Sequence, residues 1–240
     1  YVLDIIDMLK GSENNTKYKV YAVIAPAIVS QCRFGRPSQV VTAIQKLGFH
    51  QVVEAALGAD ITLYNEALEW KEKGLMTTSC CPSYVAFIEK NFPELVQHIS
   101  HSVSPMIMTA QLIKHSDPTA KCVFIGPCAS KKAEFKLPKT GGAIDCVMSF
   151  EELQAFLDAR GIDTVECEDT VLDNGSFYGR IFAKSGGIVQ GLLDVAKELN
   201  VEGLKPIVMS GIDECKANLM KLKFGKATEN FFEGMACEGG

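Results

Sequence analysis

Four of the nine cysteines of this chain lie in predicted loops, with Pro or Gly nearby. Cys80 and Cys81 stand just before a proline, Cys128 just after one, and Cys237 in the stretch EGMACEGG. Glycine and proline there permit close backbone approach to a bulky group, and backbone N–H groups can stabilise cluster sulfurs. This pattern favours a metal or iron-sulfur site assembled from separate loops.

The cysteine spacing argues against simpler sites. An odd number of cysteines in a chain of this size is not typical of a disulfide framework. The sequence also lacks any CxxC pair, which argues against a zinc ribbon or a thioredoxin-like redox site. The other five cysteines occur singly in or near predicted strands and helices, where a cysteine usually is a small buried hydrophobe. These are Cys32, Cys122, Cys146, Cys167 and Cys215.

Apolar, β-rich runs are repeatedly followed by helical patterns, as in PIVMSG before IDECKANLMKLKFG. The alternation predicts an α/β fold, with mainly parallel sheet flanked by helices. We expect two lobes, 1–102 and 103–240, with a seam near residues 98–105. The active site is expected in the crevice between the lobes, at the carboxyl ends of strands. Cys128 directly follows the predicted strand KCVFIG and should project from such an end.

Composition excludes several classes of function. Hydrophobic residues make up 47% of the chain and charged residues 22%, which is typical of a folded soluble protein. A net charge of -5 without clustered Lys and Arg gives no reason to expect nucleic acid. Without a long apolar run or a signal-peptide pattern, we expect a cytoplasmic protein with no membrane contact. Because the chain begins with Tyr, we also expect it to come from a longer polypeptide.

Three loop motifs resemble, in the same order, the signatures of iron-only (FeFe) hydrogenases. TTSCCPSYV, GPCASKKAE and FFEGMACEGG are similar to the family patterns TSCCP, PCxxKxxE and ExMACxxGC. Segments between them, such as GADITLYNEALEW and SGGIVQG, also look like family sequence, so the resemblance covers essentially the whole chain. It implies interconversion of H2 with protons and electrons at an H-cluster. That cofactor joins a four-iron four-sulfur cluster to a di-iron unit carrying CO, cyanide and an azadithiolate bridge.

The resemblance implies that Cys81, Cys128 and Cys237 are ligands of the cluster. It places the fourth ligand, the cysteine that bridges to the di-iron unit, immediately after Gly240. A cubane needs four ligands, usually thiolates. We therefore expect this sequence to be a fragment that by itself holds an incomplete cofactor or none.

The resemblance also implies residues around the di-iron unit. Lys131 matches a lysine that contacts a cyanide ligand, a role suited to a cation in a desolvated pocket. Met235 matches a residue beside the bridging carbonyl, and Phe182 is expected to line the same pocket. The alternatives are a solvated loop for Lys131 and plain core for Met235 and Phe182.

A proton relay to a buried metal needs groups within hydrogen-bond reach that titrate near the operating pH. The resemblance implies such a relay through Glu66, Ser100, Glu69 and Cys80, with Lys73 at its outer end. A thiol suits the inner end because it ordinarily titrates near ~8.5. Burial would raise the carboxyl pKa values. The alternative for Glu66 and Glu69 is a solvated helix face.

Three functions are compatible with these motifs. The first is a hydrogenase that uses a ferredoxin or an accessory iron-sulfur module as electron partner and needs maturation factors, in an anaerobic bacterium. The second is a sensor of H2 or redox state, favoured by Gly126, where hydrogen-producing members carry Met. We expect this glycine to open space beside the di-iron unit. The third is a non-catalytic iron-sulfur assembly protein.

Overall fold

The computed structural model describes residues 1–31 and 34–240, so the prediction for Cys32 falls outside the described residues. Two compact units make up the chain. Unit 1 contains residues 1–58 and 106–176, and unit 2 contains residues 59–105 and 177–240. Each unit is therefore formed by two separate stretches of sequence.

The described residues form eleven helices and seven strands. The helices are α1 (Val2–Gly11), α2 (Ile28–Gln31), α3 (Pro37–Lys46), α4 (Ala55–Lys73), α5 (Pro82–Asn91), α6 (Pro105–Ser116), α7 (Lys131–Glu134), α8 (Phe150–Ala159), α9 (Phe177–Ile181), α10 (Gly187–Glu198) and α11 (Ile212–Lys223). The strands are β1 (Val20–Ile24), β2 (Gln51–Glu54), β3 (Met76–Thr77), β4 (Lys121–Ile125), β5 (Cys146–Met148), β6 (Pro206–Ser210) and β7 (Phe231–Met235). Short 3-10 turns cover Pro93–His98 and Pro138–Thr140.

Unit 1 is built on a parallel sheet with the strand order β2-β1-β4-β5. Ala22 of β1 pairs with Val52 on one side and with Val123 on the other. The central strands are almost continuously apolar and buried, as expected for parallel strands covered on both faces. Cys122 and Cys146 lie buried in β4 and β5, which agrees with the prediction that they are small buried hydrophobes.

Unit 2 contains a second parallel sheet, in which β7 lies between β3 and β6. Successive residues of a strand point to opposite faces, and β7 shows this directly. Phe231 joins an apolar cluster with Leu63 and Trp70 of α4, whereas Phe232 joins a cluster with Tyr84 of α5 and Leu219 of α11. Helices thus cover both faces of this sheet.

The predicted fold class, mainly parallel sheet flanked by helices, is confirmed. The division into units differs from the predicted consecutive lobes 1–102 and 103–240. One crossing, between Pro105 and Met106, is close to the predicted seam, but the chain also crosses at 58/59 and 176/177. The reason is topological: β1 and β4 are neighbours in the sheet of unit 1, and the stretch 59–105 between them folds with unit 2. Within the described ranges, none of the helices combines the length and apolar character that crossing a bilayer requires.

Candidate functional site

Glu66 is a fully buried carboxyl on α4. Neither of its side-chain oxygens has a hydrogen-bond partner among the described residues, although Ser100 and the backbone of Ser79 lie near enough to favour its charge. Burial raises the pKa of Glu66 to about 8, and the charges of Glu69 and Glu233 act in the same direction. Glu66 therefore titrates close to neutral pH, and the alternative of a solvated helix face does not hold for it.

Glu69, one turn further along α4, is held by several donors. The Ser100 hydroxyl donates to its Oε2 at 2.9 Å, the backbone N–H of His101 donates to both oxygens, and Lys73 Nζ lies 2.6 Å from Oε1. Burial by itself would raise the pKa of Glu69, but the bonds from Lys73, His101 and Ser100 outweigh it, and the pKa is lowered. The pKa values of Glu66 and Glu69, which lie on the same helix, are thus shifted in opposite directions.

We expect Lys73→Met to raise the pKa of Glu69, because the substitution removes its ion-pair partner while burial still disfavours the charge. The free energy of unfolding should fall by on the order of 1 kcal/mol. NMR titration of the Glu69 carboxyl measures the first effect and urea unfolding the second. The matched control is Lys71→Met, which removes an exposed lysine of the same helix. Equal Glu69 pKa values in the two variants would contradict the assignment.

His101 is a member of this network that sequence reasoning missed. Its ring Nδ1 lies 3.3 Å from Glu69 Oε1 and its Nε2 lies 3.4 Å from Lys73 Nζ. The side chain is 80% exposed, so it connects the Glu69 carboxyl to solvent. Only its position directly after Ser100 could have indicated it, because the loop that brings it to α4 is not apparent from the sequence.

Cys80, Phe182 and Met235 pack in one apolar cluster together with Leu63 and Trp70 of α4. Cys80 is 7% exposed, Phe182 4% and Met235 7%. Unit 2 therefore brings together the predicted inner end of the relay and both residues that were predicted to line the di-iron pocket. Their burial is equally what plain core would show.

Cys81 and Cys237 follow adjacent parallel strands of unit 2. Thr77 of β3 pairs with Phe232 of β7, so the two strands end at the same edge of the sheet. Cys81 lies between β3 and α5, where Pro82 begins the helix, and Cys237 lies two residues beyond β7. Cys81 is half-buried and Cys237 is exposed.

Cys128 and Lys131 belong to unit 1, in the loop after β4 and at the start of α7. Cys128 is half-buried, and its carbonyl accepts a hydrogen bond from the Lys131 N–H at 3.2 Å. Lys131 Nζ pairs with Glu134 at 2.6 Å, and the Lys131 side chain is only 12% exposed. Lys131 is therefore not the solvated loop residue of the alternative reading.

Gly126 does not leave open space. A Cβ atom at this position would lie 2.8 Å from the Cβ of Ala25 and 2.8 Å from the ring of Phe124. The prediction that this glycine opens room is therefore wrong at the Cβ position, because neighbouring side chains of unit 1 already fill it. The sequence pattern could not show this, since Ala25 is about a hundred residues away in the chain.

Among the residues that the structure describes, exposure separates the three predicted ligands from Cys80, which is buried, and from the cysteines predicted to be structural. Cys122, Cys146, Cys167 and Cys215 are buried, whereas the three predicted ligands are half-buried or exposed. Burial raises the pKa of Cys122 and of Cys215 to about 12, and nearby Cys81 adds to the effect on Cys215. Such thiols stay protonated, and a metal ligand must be a thiolate.

Comparison with known families agrees with these motifs. Residues 18–240 match the family model described as "Iron only hydrogenase large subunit, C-terminal domain". The chain belongs to this family. The matched stretch of this iron-only hydrogenase domain contains every site residue discussed above.

Relatives of this iron-only hydrogenase domain include enzymes and an assembly factor. The periplasmic [Fe] hydrogenase large subunit of Nitratidesulfovibrio vulgaris is 29% identical over 93% of this chain and 67% of its own length. Iron hydrogenase 1 of Clostridium pasteurianum is 27% identical over 98% of this chain, which spans about half (51%) of that protein. The cytosolic Fe-S cluster assembly factor NAR1 of Kluyveromyces lactis is 36% identical over 39% of this chain and 20% of its own length.

Solved structures show the same fold. An apo [FeFe]-hydrogenase from Chlamydomonas reinhardtii superposes with a TM-score of 0.77, at 22% identity, over 98% of this chain and 82% of that one. At this level of identity the likeness concerns the fold alone.

The thiols predicted to hold the cluster in this iron-only hydrogenase domain have the chemistry of iron-sulfur ligands. The three predicted ligands follow the carboxyl ends of parallel strands, and their thiols are accessible, whereas the cysteines predicted to be structural and described here are buried. In unit 2 the Cys81 side chain packs against both apolar clusters, next to Cys80. Thiolate ligands at the rim of an apolar core are suited to iron-sulfur clusters.

Proposed function

We propose that this chain is the H-cluster domain of a hydrogenase that interconverts H2 with protons and electrons. Cys81, Cys128 and Cys237 would hold the four-iron four-sulfur cluster. When bound, the H-cluster supplies the metal centre at which H2 is formed or split and the route for its electrons. Electrons would be exchanged with a ferredoxin or an accessory iron-sulfur module, and maturation factors would supply the di-iron unit.

The observation that carries this proposal is the buried carboxyl of Glu66. A buried carboxyl that has no hydrogen-bond partner in the part of the chain that the structure describes costs folding free energy, on the order of several kcal/mol if it is charged. An iron-sulfur protein that only stores or transfers a cluster has no use for a proton carrier inside its apolar core. A group that titrates near pH 8 between Glu69 and the Cys80 loop is suited to moving protons inward.

Each residue of the relay has a distinct task in this proposal. His101 and Lys73 connect Glu69 to solvent, and Ser100 is oriented by its hydrogen bond to Glu69. Glu66 accepts a proton readily because its buried carboxylate is costly, and it releases that proton near pH 8. Cys80 passes the proton at its sulfur atom, because a thiol can both give and take one.

Lys131, Met235 and Phe182 would shape the pocket of the di-iron unit. The Lys131 ammonium is desolvated and oriented by Glu134, so it can donate to an anionic ligand. Met235 and Phe182 exclude water through their apolar contacts with the α4 cluster. Exclusion of water strengthens the charge interactions within such a site.

A second candidate is a non-catalytic iron-sulfur assembly protein, favoured by the similarity to NAR1 over 39% of the chain. Such a protein would bind the cluster through the same cysteines but would carry no di-iron unit. The sensor hypothesis is favoured by Gly126 standing where hydrogen-producing members carry Met, and it stays a prediction; the space around a Cβ at this position is taken by Ala25 and Phe124.

The test uses two forms of the chain that differ in one residue appended after Gly240, cysteine in one and serine in the other. Both are reconstituted anaerobically with iron and sulfide and then exposed to hydrogenase maturation factors. For the cysteine form we expect about four irons and four sulfides per chain, together with infrared bands of CO and cyanide. The serine form should bind less iron and show no such bands, because it lacks the fourth thiolate.

Two outcomes would overturn the proposal. If neither form binds iron, Cys81, Cys128 and Cys237 are not cluster ligands. If the cysteine form holds about four irons but shows neither infrared bands nor H2 turnover after maturation, the assembly protein is the correct assignment.

A further inference from the structure

Glu233 is a second buried carboxyl, and the relay described above does not use it. It lies in the middle of β7, within the motif that carries Met235 and Cys237, and it is 0% exposed. Its Oε1 accepts the N–H of Gly186 at 2.6 Å and its Oε2 accepts the N–H of Val189 at 2.8 Å. Both oxygens are thus engaged at the beginning of α10.

Helix α10 has no acidic residue in its own first turn and no side-chain cap at Gly186. The first N–H groups of a helix need an acceptor, and a negative charge there is favourable. Glu233 supplies both from a neighbouring strand. The preceding turn leaves little room for adjustment, because a side chain at Gly187 would overlap the carbonyl of Ile181.

The same turn contacts the segment that carries Cys237. The Ser185 N–H donates to the carbonyl of Gly239 at 3.0 Å, and Gly240 packs against the backbone of residues 183–185. Gly239 in turn donates to the Ser210 hydroxyl at 2.9 Å. The turn 183–187 therefore lies between Glu233 on one side and the segment 237–240 on the other.

We infer that Glu233 is a positioning residue for Cys237. Its carboxylate fixes the turn 183–187 against β7, and that turn fixes the segment 237–240 through Ser185 and Gly239. The connection between Glu233 and this segment stands on the hydrogen bonds alone. Only the description of Cys237 as a ligand rests on the proposed function.

The arrangement is sensitive to pH. Burial raises the pKa of Glu233 to about 7, although the N–H groups of Val189 and Gly186 oppose the rise. Protonation turns one carboxyl oxygen into a hydroxyl, which accepts an N–H bond much more weakly than a carboxylate oxygen does. The charge of Glu233 raises the pKa of Glu66 on α4, so the two carboxyls influence each other. The titration of Glu66 therefore needs a control of its own.

Hydrogen exchange of the chain without iron tests the inference. The amides of Gly186 and Val189 report the bonds to Glu233, Ser185 reports the contact with Gly239, and Gly239 reports the segment itself. Between pH 8 and pH 6, we expect the protection factors of all four amides in the wild type to fall by about tenfold. Glu233→Gln should show low protection at both pH values, since an amide keeps only one acceptor oxygen.

Two variants serve as controls. Glu198→Gln removes an exposed carboxylate from the other end of α10 and should behave as the wild type. Glu66→Gln should retain the pH dependence at these four amides. Loss of protection confined to Gly186 and Val189, or a pH dependence that persists in Glu233→Gln, would overturn the inference. If Glu233→Gln does not fold, the pH series of the wild type and Glu66→Gln decides it. Because no iron is involved, these outcomes are independent of the cluster test.

Discussion

Glu66→Gln should make the stability of unit 2 much less dependent on pH. The folded chain holds the Glu66 proton up to a pKa of about 8, whereas the unfolded chain releases it near 4.5. Between these values the folded state binds more protons, so the contribution of Glu66 to stability falls as the pH rises and levels off above about 8. The loss between pH 5 and pH 8 should amount to about 3–5 kcal/mol.

Urea unfolding at pH 5 and pH 8, followed by the fluorescence of Trp70, measures this effect. Trp70 is the single tryptophan of the chain and packs in the apolar cluster that surrounds this part of α4, so its signal reports unit 2. The difference between the wild type and Glu66→Gln removes contributions common to both, including that of Glu233. Glu72→Gln, which alters an exposed carboxyl of the same helix, should leave the pH dependence unchanged. A constant difference between the wild type and Glu66→Gln at both pH values would show that Glu66 is not a buried neutral acid.

Adjacent cysteines should respond in opposite ways to replacement by serine. Under the proposed function, Cys80→Ser should keep its iron but lose H2 turnover by about 10²- to 10⁴-fold, because a serine hydroxyl does not titrate near neutral pH. Cys81→Ser should lose cluster iron, because it removes a ligand thiolate. The two substitutions make the same chemical change one residue apart, so each is the control of the other.

The comparison is made on the matured protein that carries a cysteine after Gly240. Iron content and H2 turnover are measured on the same samples, and the infrared bands of CO and cyanide show that the di-iron unit is present. Full turnover in Cys80→Ser would exclude Cys80 from the relay. Full iron in Cys81→Ser would exclude Cys81 from the ligand set.

The sequence predicted which residues to consider in the relay but not how they differ. Glu66 and Glu69 are three residues apart on a helix, and this spacing predicted a shared face. It could not show that one carboxyl is fully buried with no hydrogen-bond partner within 1–31 and 34–240, while the other is held by Lys73, Ser100 and His101. That difference arises from the loop of residues 99–102, which returns to α4 about thirty residues later.

Gly126 and Glu233 were misjudged or overlooked for the same reason. A glycine in place of a large residue suggested open space, but Ala25 and Phe124 fill the position. In the sequence Glu233 is only one residue of a motif, whereas the structure places its carboxyl against the beginning of α10. Burial depends on which distant segments pack around a residue, and the local sequence pattern does not show which segments those are.

The amino-acid sequence alone determined the class of the fold and the family. Those features are local, because periodicity, glycine and proline positions and short motifs all act over a few residues. The tertiary structure decided how the chain divides into units, which carboxyl is neutral and what holds the segment of Cys237. The division into units depends on parallel strands that pair although they lie far apart in the sequence. The neutral carboxyl depends on burial by distant segments, which shifts its pKa. Short sequence patterns show neither.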